Sequence, residues 1–220
     1  MKRILVLLLM TGWLLFCENS EAGVETIAGS GTALTKLMEG NSRYGRFEPI
    51  HPDESQKRRK ALSHEQHPYA VVVTCSDSRV SPELVFDQGL GDIFVIRTAG
   101  NIMGDIELGS IEYAVEHLDV PLVMVVGHER CGAISAYVKK ETTEGHLKTI
   151  MDRISEEKEI IALQEQGDQM TDHFIRANVQ HGVKQISESS PLIRERIRKG
   201  NLQIIGAYES LEDGKVSLLN

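Results

Sequence analysis

Three short apolar runs in the middle of the chain constrain its fold more than any other feature. They cover residues 70–74, 93–97 and 122–126, and the first contains the unbroken β-branched stretch Val71-Val72-Val73. The first run is continuous and β-branched, which is typical of a strand that is buried on both faces of a sheet, and the other two runs also predict strands. Helical patterns separate the runs, and strands that alternate with helices predict a mainly parallel sheet.

The remaining elements complete this prediction. Helices are expected at residues 82–86, 106–117, 132–138, 146–163, 172–188 and 191–199. Two closing strands at 202–207 and 216–219 flank Asp213-Gly214, a pair that favours a hairpin turn. The predicted fold class is therefore α/β: a mainly parallel central β-sheet flanked by helices, with an N-terminal helical arm and a C-terminal antiparallel edge strand.

The sequence is expected to divide into a signal peptide at 1–22, an N-terminal linker and helical arm at 23–67, and an α/β domain at 68–220. Small and polar residues at 23–31 predict a flexible lead, and Thr32 is expected to cap the first helix of the arm. Residues 54–65 predict a second helix. The arm contains too few large apolar residues to fold alone, so we expect it to pack on the domain or on another copy of the chain.

The first 22 residues have the pattern of a secretory signal peptide. Lys2-Arg3 supplies a positive start, residues 4–16 are largely apolar, and Ser20-Glu21-Ala22 is a small-x-small cleavage signal. The apolar part is short for a bilayer span of about 20 residues. We expect cleavage after Ala22 and a periplasmic or secreted protein. A lipid anchor at Cys17 is the alternative, but bulky Phe16 precedes that cysteine where a small residue is preferred.

The charge balance argues against two classes of partner. The formal net charge is −8, and the longest basic run is Lys57-Arg58-Arg59-Lys60. A nucleic acid or an anionic membrane attracts basic surfaces, so neither is expected as a partner of the mature chain.

Groups that bind metals follow two of the apolar runs. Cys75 and Asp77 come directly after the first, and His128 and Cys131 after the third. Ligands of open parallel sheets bind beyond the carboxyl ends of the strands, where these segments are expected to lie. Two thiols, a carboxylate and an imidazole can close a tetrahedral zinc site. In an exported protein the alternative is a Cys75–Cys131 disulfide, but a disulfide would not explain the positions of Asp77 and His128.

The same two segments carry a family resemblance. Cys75-Ser76-Asp77-Ser78-Arg79 together with Gly127-His128-Glu129-Arg130-Cys131-Gly132 resembles the signature pair of the β-class carbonic anhydrases. Residues 97–101 (Arg-Thr-Ala-Gly-Asn), 109–114 and 40–44 also fit the pattern of that family. The resemblance extends from about residue 32 to the C-terminus.

The resemblance implies a metal site and a reaction. One Zn2+ per chain is expected on Cys75, His128 and Cys131, with Asp77 or water as the fourth ligand. In the active form Asp77 leaves the zinc, pairs with Arg79 and orients a zinc-bound hydroxide. The implied reaction is the reversible hydration of CO2 to bicarbonate and a proton. Hydrolysis of CS2 or COS on the same site is the alternative.

The resemblance also implies a substrate pocket and an assembly. A polar lining is expected from Gln66 and Tyr113, an apolar lining from Phe94 and Ala99, and a backbone donor to bicarbonate from Gly132. Apolar walls suit CO2, which offers few hydrogen-bonding groups. Family members form dimers with the cleft at the subunit boundary, so a homodimer or homotetramer is expected.

Overall fold

The computed structural model describes residues 22–167 and 170–219. A five-stranded sheet at its centre has the order β2-β1-β3-β4-β5. The strands are β1 Ala70–Cys75, β2 Ile93–Thr98, β3 Leu122–His128, β4 Gln203–Glu209 and β5 Val216–Leu219. The first four are parallel and β5 pairs antiparallel with β4. The α/β prediction, including the antiparallel edge strand, is confirmed.

Helices cover both faces of the sheet. They are α1 Ala22–Gly45, α2 Gln56–Ala61, α3 Pro82–Val85, α4 Asp105–His117, α5 Gly132–Val138, α6 His146–Glu156, α7 Lys158–Glu165, α8 Thr171–Ser189 and α9 Pro191–Arg198. A 3-10 turn, Ala99–Asn101, follows β2. Every residue of β1 is buried, as its unbroken apolar run predicted, and so is every residue of β3, whereas most residues of the edge strand β2 are half-buried. Among the described residues, no helix combines the length and the apolarity that a membrane span requires.

The arm folds back onto its own chain. Ala33 and Leu37 of α1 are buried against one face of the sheet. Asn41 joins three segments: its Nδ2 donates to Val85 O at 3.1 Å and to Gly214 O at 2.8 Å, and its Oδ1 accepts from Val216 N at 2.9 Å. These bonds satisfy buried backbone groups, so they hold the arm on the closing hairpin.

Two predictions for the arm are wrong. Residues 23–31 are not a flexible lead, because α1 begins at Ala22 and passes through the predicted cap Thr32. Its glycines each cost only about 1 kcal/mol relative to alanine, which a helix anchored by buried residues further along can absorb. The second helix is shorter than the predicted 54–65. Ser55 Oγ caps it by accepting from Arg58 N, and none of its residues is buried to extend it. The predicted signal peptide lies outside the described residues except for Ala22.

One long helix was predicted for residues 146–163, and this is also wrong. The chain leaves helical geometry at Glu157 (φ −72°, ψ 120°), between α6 and α7. Ile154 and Ile160 are both fully buried. Six residues on a straight helix would place these side chains about 120° apart around the axis. The break allows both to enter the core.

Candidate metal centre

Two adjacent strands deliver three possible metal ligands to one point. Cys75 is the last residue of β1, His128 is the last of β3, and Cys131 precedes α5. Because β1 and β3 are parallel neighbours, their carboxyl ends meet. The ligand atoms of the three side chains all lie within 4.8 Å of one another, and all three residues are buried. The cysteines are free thiols rather than a disulfide.

The orientation of His128 suits a metal. Its Nδ1 lies 2.9 Å from Glu129 O, an arrangement that fixes the proton on Nδ1. Its Nε2 is buried and has no hydrogen-bond partner among the described residues. An unpaired ring nitrogen beside two thiols is the donor set of a Cys2His zinc site, and the carbonyl behind it is the usual second partner of a ligating histidine.

The two sulfurs interact strongly with each other. Hydrogen bonding from Cys131 lowers the pKa of Cys75 to about 4, with further support from His128 and the Gly100 N–H. The Gly100 nitrogen donates to Cys75 Sγ at 3.2 Å. The same contact with Cys75 raises the pKa of Cys131, so the pair shares one proton. Burial lowers the pKa of His128, but the Cys75 sulfur, the Glu129 carbonyl and the Asp77 carboxylate together raise it above its usual value. Metal binding must release the protons that these groups hold.

Asp77 is paired with Arg79. Its Oδ1 accepts from Arg79 N at 3.0 Å and from Arg79 Nε at 2.9 Å, and its Oδ2 accepts from Nη2 at 2.7 Å. These bonds hold the pKa of Asp77 well below its usual range. Asp77 Oδ2 also lies 3.9 Å from His128 Nε2. The carboxylate therefore faces the ligand cluster while its strongest contacts are with arginine.

Two further residues support the site. Arg97 donates through Nε to Cys75 O at 3.0 Å and through Nη2 to Asp77 O at 2.7 Å, which fixes the loop after β1. Glu209, at the end of β4, lies opposite His128 in the strand register. Burial raises the pKa of Glu209 to about 7, with opposing effects from His128 and Asp77. Glu209 is the last residue of its strand, as Cys75 and His128 are of theirs, so the same sequence pattern could have identified it.

The residues predicted to line the pocket lie in two places. Ala99 opens the turn whose Gly100 contacts Cys75, and Gly132 begins α5 directly after Cys131. Phe94 lies opposite Val71 in the strand register. Val71 is four residues before Cys75, so at roughly 3.3 Å per residue Phe94 lies about 13 Å along the strand direction from the level of Cys75.

Tyr113 and Gln66 are also placed away from the ligands. The Tyr113 ring centroid lies 6.3 Å from that of Phe94, and 48% of Tyr113 is exposed. Gln66 is exposed and precedes the amino end of β1. Within one chain, Ala99 and Gly132 adjoin the cluster, whereas Gln66, Phe94 and Tyr113 lie towards the other end of the strands.

Comparison with known proteins agrees with this geometry. The family model described as "Carbonic anhydrase" matches residues 70–216. A carbonic anhydrase of Mycolicibacterium smegmatis is 40% identical over 186 residues, covering 83% of this chain and 89% of that protein. The solved β-carbonic anhydrase CcaA has a TM-score of 0.70 at 27% identity, covering 85% of this chain and 95% of that one.

A second solved structure supports the fold alone. It is one of two β-carbonic anhydrases from Sordaria macrospora that are described as tetrameric. Its TM-score is 0.68 at 24% identity, covering 86% of this chain and 98% of that one.

Proposed function

The chain belongs to the β-carbonic anhydrases, a family of zinc enzymes, and from that premise we propose that its Asp77–Arg79 pair orients the water that adds to CO2 at the Cys75–His128–Cys131 centre. The products are bicarbonate and a proton, which leaves to solvent or buffer. One observation carries the proposal: the Asp77 carboxylate is held by arginine at 2.7–2.9 Å while it faces the ligand cluster.

The donor set fits zinc. Two sulfurs and an imidazole nitrogen lie within one cluster, and the free Nε2 of His128 needs a partner. When bound, Zn2+ acts as a Lewis acid that lowers the pKa of water and supplies a nucleophile near neutral pH. The Gly100 N–H stabilises the Cys75 thiolate, so it supports the charged form that a metal requires.

Arg79 and Asp77 have distinct tasks in this proposal. Arg79 occupies both carboxylate oxygens, so the carboxylate stays ionised and is held beside the ligand cluster by arginine. An ionised Asp77 accepts a hydrogen bond but cannot donate one, and it therefore selects the orientation in which a water lone pair points at CO2. Arg97 positions both residues indirectly, because it holds the backbone carbonyls of Cys75 and Asp77.

A second copy of the chain completes the substrate pocket in this proposal. Ala99 and the backbone N–H of Gly132 serve the cluster of their own chain, where they already lie. Gln66, Phe94 and Tyr113 would serve the cleft of a neighbouring copy. The exposed Tyr113 ring of α4 lies beside Phe94 of β2, the edge strand of the described sheet, and this exposed aromatic surface supports a contact with a second copy of the chain. We propose a homodimer or a homotetramer.

We also propose that residues 1–22 are a cleaved signal peptide and that the mature enzyme is periplasmic or secreted. The sequence pattern of this segment supports the proposal. Intact mass of the chain isolated from its native source tests it. A mass that begins at Gly23 is expected. A mass that retains residues 1–22, or a lipid on Cys17, would refute it.

Asp77→Asn tests the role of the acid. We expect the variant to keep about one zinc per chain and to lose CO2 turnover by 100-fold or more, measured by stopped flow, because general acid–base and orienting groups contribute about that much. Asp152→Asn is the matched control, since it makes the same change in an exposed ion pair with Lys148. Parallel assays with COS and CS2 determine whether these substrates are also hydrolysed.

Two results would contradict the assignment. Full turnover in Asp77→Asn with zinc retained would remove Asp77 from the reaction. Loss of zinc in that variant, with Asp152→Asn intact, would make Asp77 a permanent ligand rather than an orienting group.

A further inference from the structure

A cavity of about 400 Å3 lies behind the metal centre. Its walls come from the 3-10 turn Ala99–Asn101, the break between α6 and α7, and α8. Gly100 of that turn donates to Cys75 Sγ on its other side, and Asn178 Nδ2 in the cavity wall donates to Gly100 O at 2.8 Å. The cavity thus shares a wall with the centre, but it contains none of the three ligand residues.

Two polar side chains in this cavity lack partners. Asn101 Nδ2 and Glu157 Oε2 are buried and make no hydrogen bond within residues 22–167 and 170–219. Each residue is 3% exposed. A buried polar atom without a partner costs on the order of 1–3 kcal/mol, so most native structures pair such atoms with protein, water or a ligand. The cavity is therefore lined by one amide donor and one carboxyl oxygen that have no hydrogen-bond partner among the described residues.

Both side chains project from positions where the backbone conformation is irregular. Asn101 has a left-handed φ of 49°, a conformation that asparagine tolerates better than most residues. Glu157 is the residue at which the chain leaves helical geometry between α6 and α7. Neither local conformation follows from helix propensity. The fold thus places both polar groups in the cavity wall at positions of irregular backbone.

The size of the cavity exceeds the needs of a bridging water. In liquid water one molecule occupies about 30 Å3, so the cavity has more than ten times the volume of one water. Pockets for small organic ligands begin near 300 Å3. The space therefore accommodates a small organic molecule together with some water.

The charges around the cavity indicate a neutral occupant. Burial, with a contribution from Glu159, raises the pKa of Glu157 to about 9, so its carboxyl is uncharged at pH 7. The other charged groups that line the cavity are three bases and three acids, Arg153, Lys158, Lys184, Glu156, Glu159 and Glu188, and His181 also lines it with its Nδ1 2.8 Å from Glu159 Oε2. Because these charges balance, the cavity has no excess of either sign with which to hold an ion.

We propose that this cavity binds a small neutral molecule bearing a carboxamide group, whose carbonyl oxygen accepts from Asn101 Nδ2 and whose N–H donates to Glu157 Oε2. A carboxamide presents an acceptor and a donor side by side and carries no charge to desolvate. A carboxylate would lack the donor, and an ammonium group would lack the acceptor. This inference does not depend on the role of Asp77 or on turnover.

The test uses full-length zinc-loaded protein and three probes that share one ring. Benzamide is neutral, benzoate is an anion and benzylammonium is a cation. We expect benzamide to raise the thermal midpoint saturably, as a ligand of the folded state does. A crystal soaked in benzamide is expected to show its amide between Asn101 and Glu157. Zinc content and CO2 turnover are measured separately, so that ligand binding at the metal is recognised.

Two substitutions at one position separate the chemistry from the fold. Glu157→Gln keeps a neutral side chain with an acceptor, and it should bind benzamide within about threefold of the parent. Glu157→Leu removes the acceptor, and it should weaken benzamide about tenfold or more, the loss expected for an unmet polar group. Glu165→Leu is the matched control at an exposed position of α7 and should leave binding unchanged.

Several outcomes would overturn the proposal. Density for water alone in the soaked cavity would do so. So would benzamide binding that Glu157→Leu does not weaken. Preferential binding of benzylammonium that Glu157→Gln abolishes would identify a cation site instead. Benzoate binding that depends on Glu157 would identify an anion site.

Discussion

Replacing Gly127 by alanine tests how closely α8 approaches the strand that carries His128. A Cβ at Gly127 would lie 2.6 Å from Val179 Cγ2 and 2.9 Å from Ile175 Cγ2. Carbon atoms pack best at about 3.5–4.0 Å. Both neighbours are buried in α8, so neither side chain can move into solvent. The helix must shift, or the side chains must leave their rotamers.

The expected cost follows from this overlap. Overpacking of a dense core costs about 1–3 kcal/mol, and we expect the free energy of unfolding to fall by that amount. Gly127 does not have a positive φ, so no backbone strain adds to the cost. The displacement reaches His128, the next residue, so zinc affinity should fall as well.

Denaturant unfolding of the zinc-loaded variant measures the effect, together with zinc per chain. Gly109→Ala is the control, because a Cβ there meets nothing within 4 Å on an exposed face of α4. That change should stabilise by about 0.5–1 kcal/mol. If Gly127→Ala leaves the free energy of unfolding unchanged or raises it, then α8 does not pack as closely against β3 as these distances indicate.

A double-mutant cycle locates the clash. Val179→Ala alone removes buried methyl groups and should destabilise. Combined with Gly127→Ala it removes the nearest atom, so the pair should cost at least about 1 kcal/mol less than the sum of the single changes. Additive effects would place the strain elsewhere.

Three other predictions each concern the side chain of one residue. Asn41→Ala removes hydrogen bonds of 3.1, 2.8 and 2.9 Å, and at about 1 kcal/mol each the free energy of unfolding should fall by about 3 kcal/mol. The matched control Asn201→Ala should lower it by less than about 0.5 kcal/mol. Equal costs of the two changes would contradict the role of Asn41. The pKa of Glu157 is raised in the fold to about 9, so its stabilising effect is complete below the unfolded pKa near 4.5 and is lost as pH rises towards 9. Between pH 6 and 8 the unfolding free energy of the parent should therefore fall against that of Glu157→Gln by about 1.4 kcal/mol per pH unit; parallel pH profiles would refute the buried carboxyl. Arg79→Ala leaves Asp77 only the backbone N–H of residue 79, and CO2 turnover should fall about 100-fold at unchanged zinc content; normal turnover would show that Asp77 needs no arginine.

Much of the sheet could be predicted from the sequence. The run 70–74 became β1 with one added residue, and the predicted 216–219 became β5 unchanged. A strand buried on both faces must be apolar throughout, so the pattern is local and readable. The same reasoning located Cys75 and His128 at strand ends, since parallel strands place their carboxyl ends together.

Other features could not be predicted. The break at Glu157 contains no proline or glycine, and it exists because Ile154 and Ile160 must both reach the core. The start of α1 at Ala22 depends on burial further along the helix. The position of the Tyr113 ring beside Phe94 depends on how α4 packs against β2. Each result is set by packing between segments distant in sequence.

The sequence by itself determined the strands of the sheet, their alternation with helices, and which residue types stand at the strand ends. These depend on local periodicity and on the family pattern of the motifs. The tertiary structure alone decided that the Asp77 carboxylate pairs with Arg79, that Gly100 donates to the Cys75 sulfur, and that Asn101 and Glu157 share a cavity. Hydrogen bonds and cavities require positions within tenths of an ångström, and only the packed chain sets these.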